Sequence, residues 1–94
     1  MHIGVCKIKL YLPESQSLKE KRRILKSLIA RLKNKFNISI AEVDALDMHR
    51  SAVIGVVSVA NEAKFVNQIF SQCVKFIETN SSVIMLDYET DFFY

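Results

Sequence analysis

The order of the hydrophobic patterns along the chain restricts its fold more than any other feature of the sequence. Residues 2–12 alternate between apolar and polar side chains over their second half, which predicts a half-buried β-strand. Pro13 ends this strand because proline has no backbone N–H to donate. Apolar residues then recur at helical spacing as far as Phe36, which predicts an amphipathic helix.

This first helix carries start and stop signals. Ser17 and Glu20 form a capping box, in which the Ser17 hydroxyl accepts a hydrogen bond from the Glu20 N–H while the Glu20 carboxylate reaches back. Asn34 and Asn37 suit the end of the helix. Its apolar stripe consists of Ile24, Leu25, Leu28, Ile29, Leu32 and Phe36.

The rest of the chain predicts two more strands, a second helix and a last strand. Residues 38–46 alternate, whereas residues 52–60 are apolar on both faces, as in a central strand. Gly55 predicts a bulge or a close backbone contact within the second of these runs. Asn61 is a candidate N-cap for the second helix, and residues 82–92 form the last predicted strand. The second helix has its own apolar stripe of Phe65, Val66, Ile69, Phe70, Cys73, Val74 and Ile77.

The resulting order β-α-β-β-α-β predicts a ferredoxin-like α+β fold. Right-handed crossovers place the strands in a four-stranded antiparallel sheet with both helices on one face. A chain of 94 residues is too short for two stable cores, so residues 1–94 are expected to form a single domain. The other face of the sheet is left uncovered.

The uncovered sheet face predicts self-association. Lys7 and Lys9 of the first strand can meet Asp87 and Glu89 of the last strand, which is its neighbour in this topology. Valines of the third strand add apolar area to the same face. A face that is partly apolar and charge-paired is typical of a subunit interface, so we expect a homodimer or a larger homo-oligomer.

No group of residues indicates catalysis, a cofactor or a metal. The sequence contains no Gly-rich phosphate loop, nucleophile elbow or metal-binding histidine pair. His2 and Cys6 are about 13 Å apart along a strand, too far to share one ion. Cys6 and Cys73 fall on predicted core faces and are expected to be buried thiols. We therefore expect no enzymatic activity and no cofactor.

Glu42, Asp44 and Asp47 form the one carboxylate cluster of the sequence. Glu42 and Asp44 are predicted to share a strand face, where they could hold a divalent ion. We favour a solvated edge strand or pairing with lysines of the first helix. His49 follows Asp47 in the same loop and is typical of a surface residue. The sequence leaves the roles of the three carboxylates and of His49 open.

Two features of the sequence predict a cytoplasmic protein that does not enter a membrane. No apolar run approaches the roughly 18 residues that span a bilayer. The N-terminus lacks the apolar core and small-residue cleavage site of a signal peptide.

Positive charge is concentrated in the first helix. Residues 17–35 carry eight of the thirteen basic residues and one acid, whereas the rest of the chain carries five bases and nine acids. On a helical wheel, five of these cations fall within about 100° of one another, beside the apolar stripe. We call these five residues the basic stripe: Lys19, Arg22, Arg23, Lys26 and Lys33. Lys21 falls inside the apolar sector instead and is expected to snorkel or to meet a carboxylate.

The basic stripe is unfavourable for an isolated helix. Cations in the first turns oppose the helix dipole by about 0.3–1 kcal/mol each at low salt. The pairs Lys19/Arg23 and Arg22/Lys26 place like charges four residues apart, at roughly 0.2–0.5 kcal/mol each. An anionic partner is therefore expected, either RNA phosphates or acids of another subunit. The isoelectric point near 9.0 favours RNA, and the acids near the C-terminus favour self-association.

Two segments of the chain resemble the YlxP-like family of small bacterial proteins, which is also classed as a domain of unknown function. They are SLKEKRR at 17–23 and FNISIAEVDALD at 36–47, and the resemblance runs from the first strand through Asn61 and more loosely to the end. It implies a ferredoxin-like fold and no established activity. Members are often encoded near translation-initiation and ribosome-binding factors, which implies a connection with RNA or a ribosomal subunit. His49 stands where relatives tend to have an aromatic residue, often Trp.

Overall fold

A computed structural model describes all 94 residues and confirms the predicted order of elements. The sheet has the strand order β2-β3-β1-β4, and every neighbouring pair is antiparallel. Together with two helices this is the predicted ferredoxin-like α+β fold. The elements are β1 (His2–Tyr11), α1 (Leu18–Lys35), β2 (Ser39–Asp44), β3 (Ser51–Ala60), α2 (Ala63–Glu78) and β4 (Ile84–Phe92).

The hydrophobic core lies between the two helices and one face of the sheet. Side chains alternate along a strand, so the even-numbered residues of β1 and β3 share this face, and Ile8 and Ile54 are fully buried on it. Leu28 of α1 and Phe70 of α2 close the core from the other side. The apolar stripes predicted from helical spacing are therefore the surfaces that the helices bury.

Gly4 allows α2 to approach β1 closely. A Cβ atom at this position would lie 2.6 Å from Val66 Cγ1 and 3.0 Å from Phe70 Cε2. Both neighbours are buried in the core and cannot easily move aside. The glycine therefore sets the spacing between the helix layer and the centre of the sheet.

The odd-numbered residues of β1 and β3 lie on the sheet face that carries no helix, which we call the open face. Lys7 is paired across the ladder with Glu89, and Lys9 with Asp87, as predicted. The Lys7 ammonium lies 3.7 Å from a Glu89 carboxylate oxygen. A bulge at Leu86 shifts the register of β4 by one residue beyond these pairs.

The start of α1 uses the predicted capping residues with one difference. The Glu20 N–H donates to Ser17 Oγ at 3.1 Å, as in a capping box. The Glu20 carboxylate accepts from the N–H of Gln16 at 2.8 Å, one residue before the cap itself. The Glu20 carboxylate therefore fixes the backbone at Gln16, just before the helix begins.

One local prediction was wrong, and of the two alternatives for Gly55 the close contact is the one that is borne out. The N-cap of α2 is Glu62 rather than Asn61, and its side chain makes no capping hydrogen bond. No bulge occurs at Gly55, which keeps its register with both neighbouring strands. The bulge lies in the adjacent edge strand at Val43, whose Cγ1 would be 3.1 Å from a Cβ at Gly55. The glycine leaves room for that bulged side chain.

Candidate nucleic-acid interface

All five residues of the basic stripe are exposed on the outer surface of α1. None of them lies within 4.0 Å of a carboxylate, because the three ion pairs of the chain involve Lys7, Lys21 and Lys64. The stripe is therefore a row of uncompensated positive charges. It has the electrostatic character of a phosphate-binding surface.

Three of the five cations are brought together beside the edge of the sheet. Arg22, Lys26 and Lys33 line a shallow depression between α1 and β2. At 1.5 Å per residue they span about 17 Å along the helix. Lys19 and Arg23 do not line this depression, although they share the exposed face. Its other lining residues are Leu25, Ile29, Ala30 and Glu42.

Lys21 differs from its basic neighbours because it is fully buried. Its ammonium lies 2.8 Å from Glu42 Oε2, so the expected contact with a carboxylate is confirmed. Three backbone carbonyls also lie within hydrogen-bond distance of the ammonium and share its N–H groups with Glu42: Ala45 at 2.8 Å and Leu46 at 3.3 Å in the connection between β2 and β3, and Ser51 at 3.1 Å at the start of β3. We call this set of contacts the Lys21 clamp.

The Lys21 clamp and the bulge at Val43 separate the members of the predicted carboxylate cluster. The bulge at Val43 leaves Glu42 opposite Ile54 on the helix side, whereas Asp44 is opposite Val53 of the open face. The prediction that Glu42 and Asp44 share a strand face was therefore wrong. No group of three or more metal-ligating side chains occurs in the structure. Asp47 and His49 are exposed in the loop that follows.

One contact of the basic helix was missed by the sequence reasoning. The Lys35 ammonium lies 6.0 Å from the ring centroid of Phe36 and 5.2 Å from that of Phe76, whose rings meet edge to face. Phe36 and Phe76 belong to different helical segments, so no periodicity within one segment could pair them. Lys35 therefore contacts α2, and it lies on the opposite flank of α1 from Lys33.

Cys6 and Cys73 are both fully buried, as predicted. Burial raises the pKa of each thiol from 9.0 to about 11, and the charge of Cys6 contributes a further increase at Cys73. The reactive thiolate is therefore scarce in the folded protein at neutral pH.

We expect the native protein to react with a maleimide far more slowly than the urea-unfolded chain at pH 7.5. Raised thiol pKa values also stabilise the fold below pH 9, and this contribution declines between about pH 9 and 11 as the unfolded thiols ionise. Thiol labelling followed by mass spectrometry checks the first point, and urea titrations across this pH range check the second. Rapid labelling of the native protein would contradict the burial of the two thiols.

Neither helix combines the length and apolar character that crossing a bilayer requires.

A family model described as "Protein of unknown function (DUF503)" matches residues 3–90. The chain is also 30% identical over 77 residues to the uncharacterized protein YlxP of Bacillus subtilis (strain 168), and this alignment covers 82% of the chain and 84% of that relative. A match across nearly the whole fold, basic helix included, shows that the protein belongs to the DUF503 family.

Proposed function

We propose that this protein binds RNA phosphates through the basic stripe and associates in this way with RNA or a ribosomal subunit. The carrying observation is that five cations share one exposed helix face and none has an acidic partner in the chain. RNA supplies the missing charge as a regular row of phosphates. The relation to translation factors implied by the family resemblance agrees with this partner.

The arrangement of the stripe favours a ligand over mere solubility. Mixing glutamates among the five positions would keep the helix soluble and add stabilising pairs at i,i+4. Instead, dipole and like-charge repulsions together cost on the order of 1–3 kcal/mol. A bound polyanion removes these repulsions, which would explain why the cations stay together.

Changing Arg22, Arg23 and Lys26 together to glutamine is expected to weaken RNA binding and to flatten its salt dependence. Each lost phosphate contact reduces the slope of log affinity against log salt by about 0.7 on single strands and about 0.9 on duplexes, as calibrated on DNA. Three lost contacts therefore reduce it by about 2–3. Fluorescence polarisation with a labelled RNA at several salt concentrations measures both effects.

A matched control removes three charges elsewhere. Lys35, Lys64 and Lys75 are exposed and lie outside the stripe, so K35Q/K64Q/K75Q should retain most of the slope. The stripe variant should also unfold no more easily than the parent, because its repulsions are relieved. Equal losses in the two variants, or a parent without RNA affinity at low salt, would refute the proposal.

The open face favours a second candidate function, self-association as a homodimer or larger assembly. Val57 and Val59 are exposed there, and an apolar depression lies over Gly55 between Val43 and Val57. The neighbouring charges are largely matched within the chain by the pairing of β1 with β4. A second copy can cover the exposed valines and the apolar depression of this face.

A further inference from the structure

The connection between β2 and β3, residues 45–50, is held in one conformation although it projects from the sheet. In the Lys21 clamp, the ammonium donates hydrogen bonds to carbonyls on both sides of the turn, at Ala45 and Ser51. The Arg50 carbonyl accepts from the Leu12 N–H at 2.9 Å, and Arg50 Nε donates to the Ser15 carbonyl at 3.1 Å. We call residues 45–50 the clamped loop.

The backbone of the clamped loop is strained at Ala45, whose φ of 57° lies in the left-handed region. Such a conformation at a residue other than glycine persists only when its surroundings impose it. Here the buried ammonium of Lys21 bonds directly to the carbonyl of this residue. The fold therefore keeps a buried charge and a strained residue to hold the loop in place.

The clamped loop presents apolar side chains to solvent. Leu46 is 57% exposed and Met48 is 54% exposed, and Asp47 and His49 are exposed beside them. The loop lies against the N-terminal part of α1, where Lys21 holds it, and Glu42, which shortly precedes the loop, lines the same depression as Arg22 and Lys26.

The composition of this surface indicates which form of RNA it accepts. Single strands are recognised mainly by stacking their bases on aromatic rings, with arginine guanidinium planes as a secondary platform. Helix α1 contains no aromatic residue, and His49 is the only ring in the clamped loop. The cations instead lie along one face of a single helix, and this regular spacing suits phosphates that are themselves held in a regular helix.

We infer that the polyanion bound by the basic stripe is double-stranded RNA and that the clamped loop enters its minor groove; this inference rests on the proposed function. The minor groove of A-form RNA is wide and shallow, so the loop can reach its floor while the stripe contacts phosphates. Leu46 and Met48 pack against the sugar edges, and Asp47 accepts a hydrogen bond from a 2′-hydroxyl. The minor groove of B-form DNA is only about 6 Å wide and carries no 2′-hydroxyl, so it is a poorer ligand.

Three labelled probes test the inference on the whole protein: a 20-base-pair RNA duplex, a DNA duplex of the same sequence and a single-stranded 20-mer of uridine. We expect the RNA duplex to bind at least tenfold more tightly than either of the others at equal salt. L46S/M48S should reduce affinity for the RNA duplex several-fold and leave the salt slope and the affinity for the single strand unchanged. Leu86 is 62% exposed on β4, and L86S serves as the matched control that should change nothing.

The outcomes separate the two proposals. Equal binding of RNA duplex and single strand, equal binding of RNA and DNA duplexes, or an unaffected L46S/M48S variant would overturn the inference about the duplex and the loop. Each of these results leaves RNA binding by the stripe intact. Failure of all three probes to bind at low salt would overturn the proposed function as well. Thermal unfolding of each variant shows whether a loss of binding arises from a loss of structure.

Discussion

Replacing Lys21 by methionine is expected to reduce the free energy of unfolding by about 3–5 kcal/mol. Methionine fills a similar volume but leaves the Glu42 carboxylate, whose side chain is 16% exposed, without its counter-charge. It also leaves the carbonyls of Ala45, Leu46 and Ser51 without the donor that they share. Each unsatisfied buried polar group is unfavourable by about 1–3 kcal/mol. Urea unfolding followed by circular dichroism measures the loss.

The control for this prediction is a second lysine–glutamate pair in the same chain. Lys64 and Glu62 lie 3.8 Å apart with both side chains more than half exposed, so K64M should change stability by less than about 1 kcal/mol. In a double-mutant cycle, K21M and E42Q should be less destabilising together than the sum of the two single changes, since each removes the same contact. A K21M variant as stable as K64M would show that the clamp contributes nothing.

Replacing Val57 by glutamate is expected to dissociate the protein completely into monomers. Light scattering of the parent at high micromolar concentration should give twice the 10.8 kDa mass of one chain, or a larger multiple. Val57 is exposed in a single chain, so the change should leave the fold intact. In the assembly the same carboxylate would be removed from water against an apolar surface, which is strongly unfavourable.

Phe65 provides the matched comparison for this experiment. It is 39% exposed, as Val57 is, but belongs to α2 on the other side of the sheet. F65E should therefore keep the mass of the parent. A monomeric parent, or an assembly that survives V57E, would rule out the open face as the interface.

The fold was predictable from the sequence because its signals are local. Alternation in β1 and the helical spacing of the two apolar stripes each depend on residues that are close along the chain. The pairing of Lys7 with Glu89 also followed, because the topology leaves few ways to arrange four strands. The basic stripe could also be predicted from the sequence, because it is a local pattern within one helix.

The parts that could not be predicted depend on contacts between distant segments. The bulge at Val43 places Asp44 on the opposite face of the sheet from Glu42, and bulges have no strict sequence signal. The position of Lys21 in the apolar sector indicated a buried ammonium. Its three carbonyl partners are backbone atoms of Ala45, Leu46 and Ser51, which are more than twenty residues away, so side-chain patterns carried no information about them.

The position of β1 in the middle of the sheet has a consequence for the newly made chain. This strand is synthesised first, yet it pairs only with β3 and β4, and β4 is the last element. At about 5–20 residues per second, roughly 4–16 s separate the synthesis of β1 from that of β4. Until β3 is made, both edges of this apolar strand are available to other nascent chains, and the edge that pairs with β4 stays available until the end of that time. Lys7 and Lys9 alternate with its core residues, and such charges oppose aggregation through exposed strands until the sheet can close.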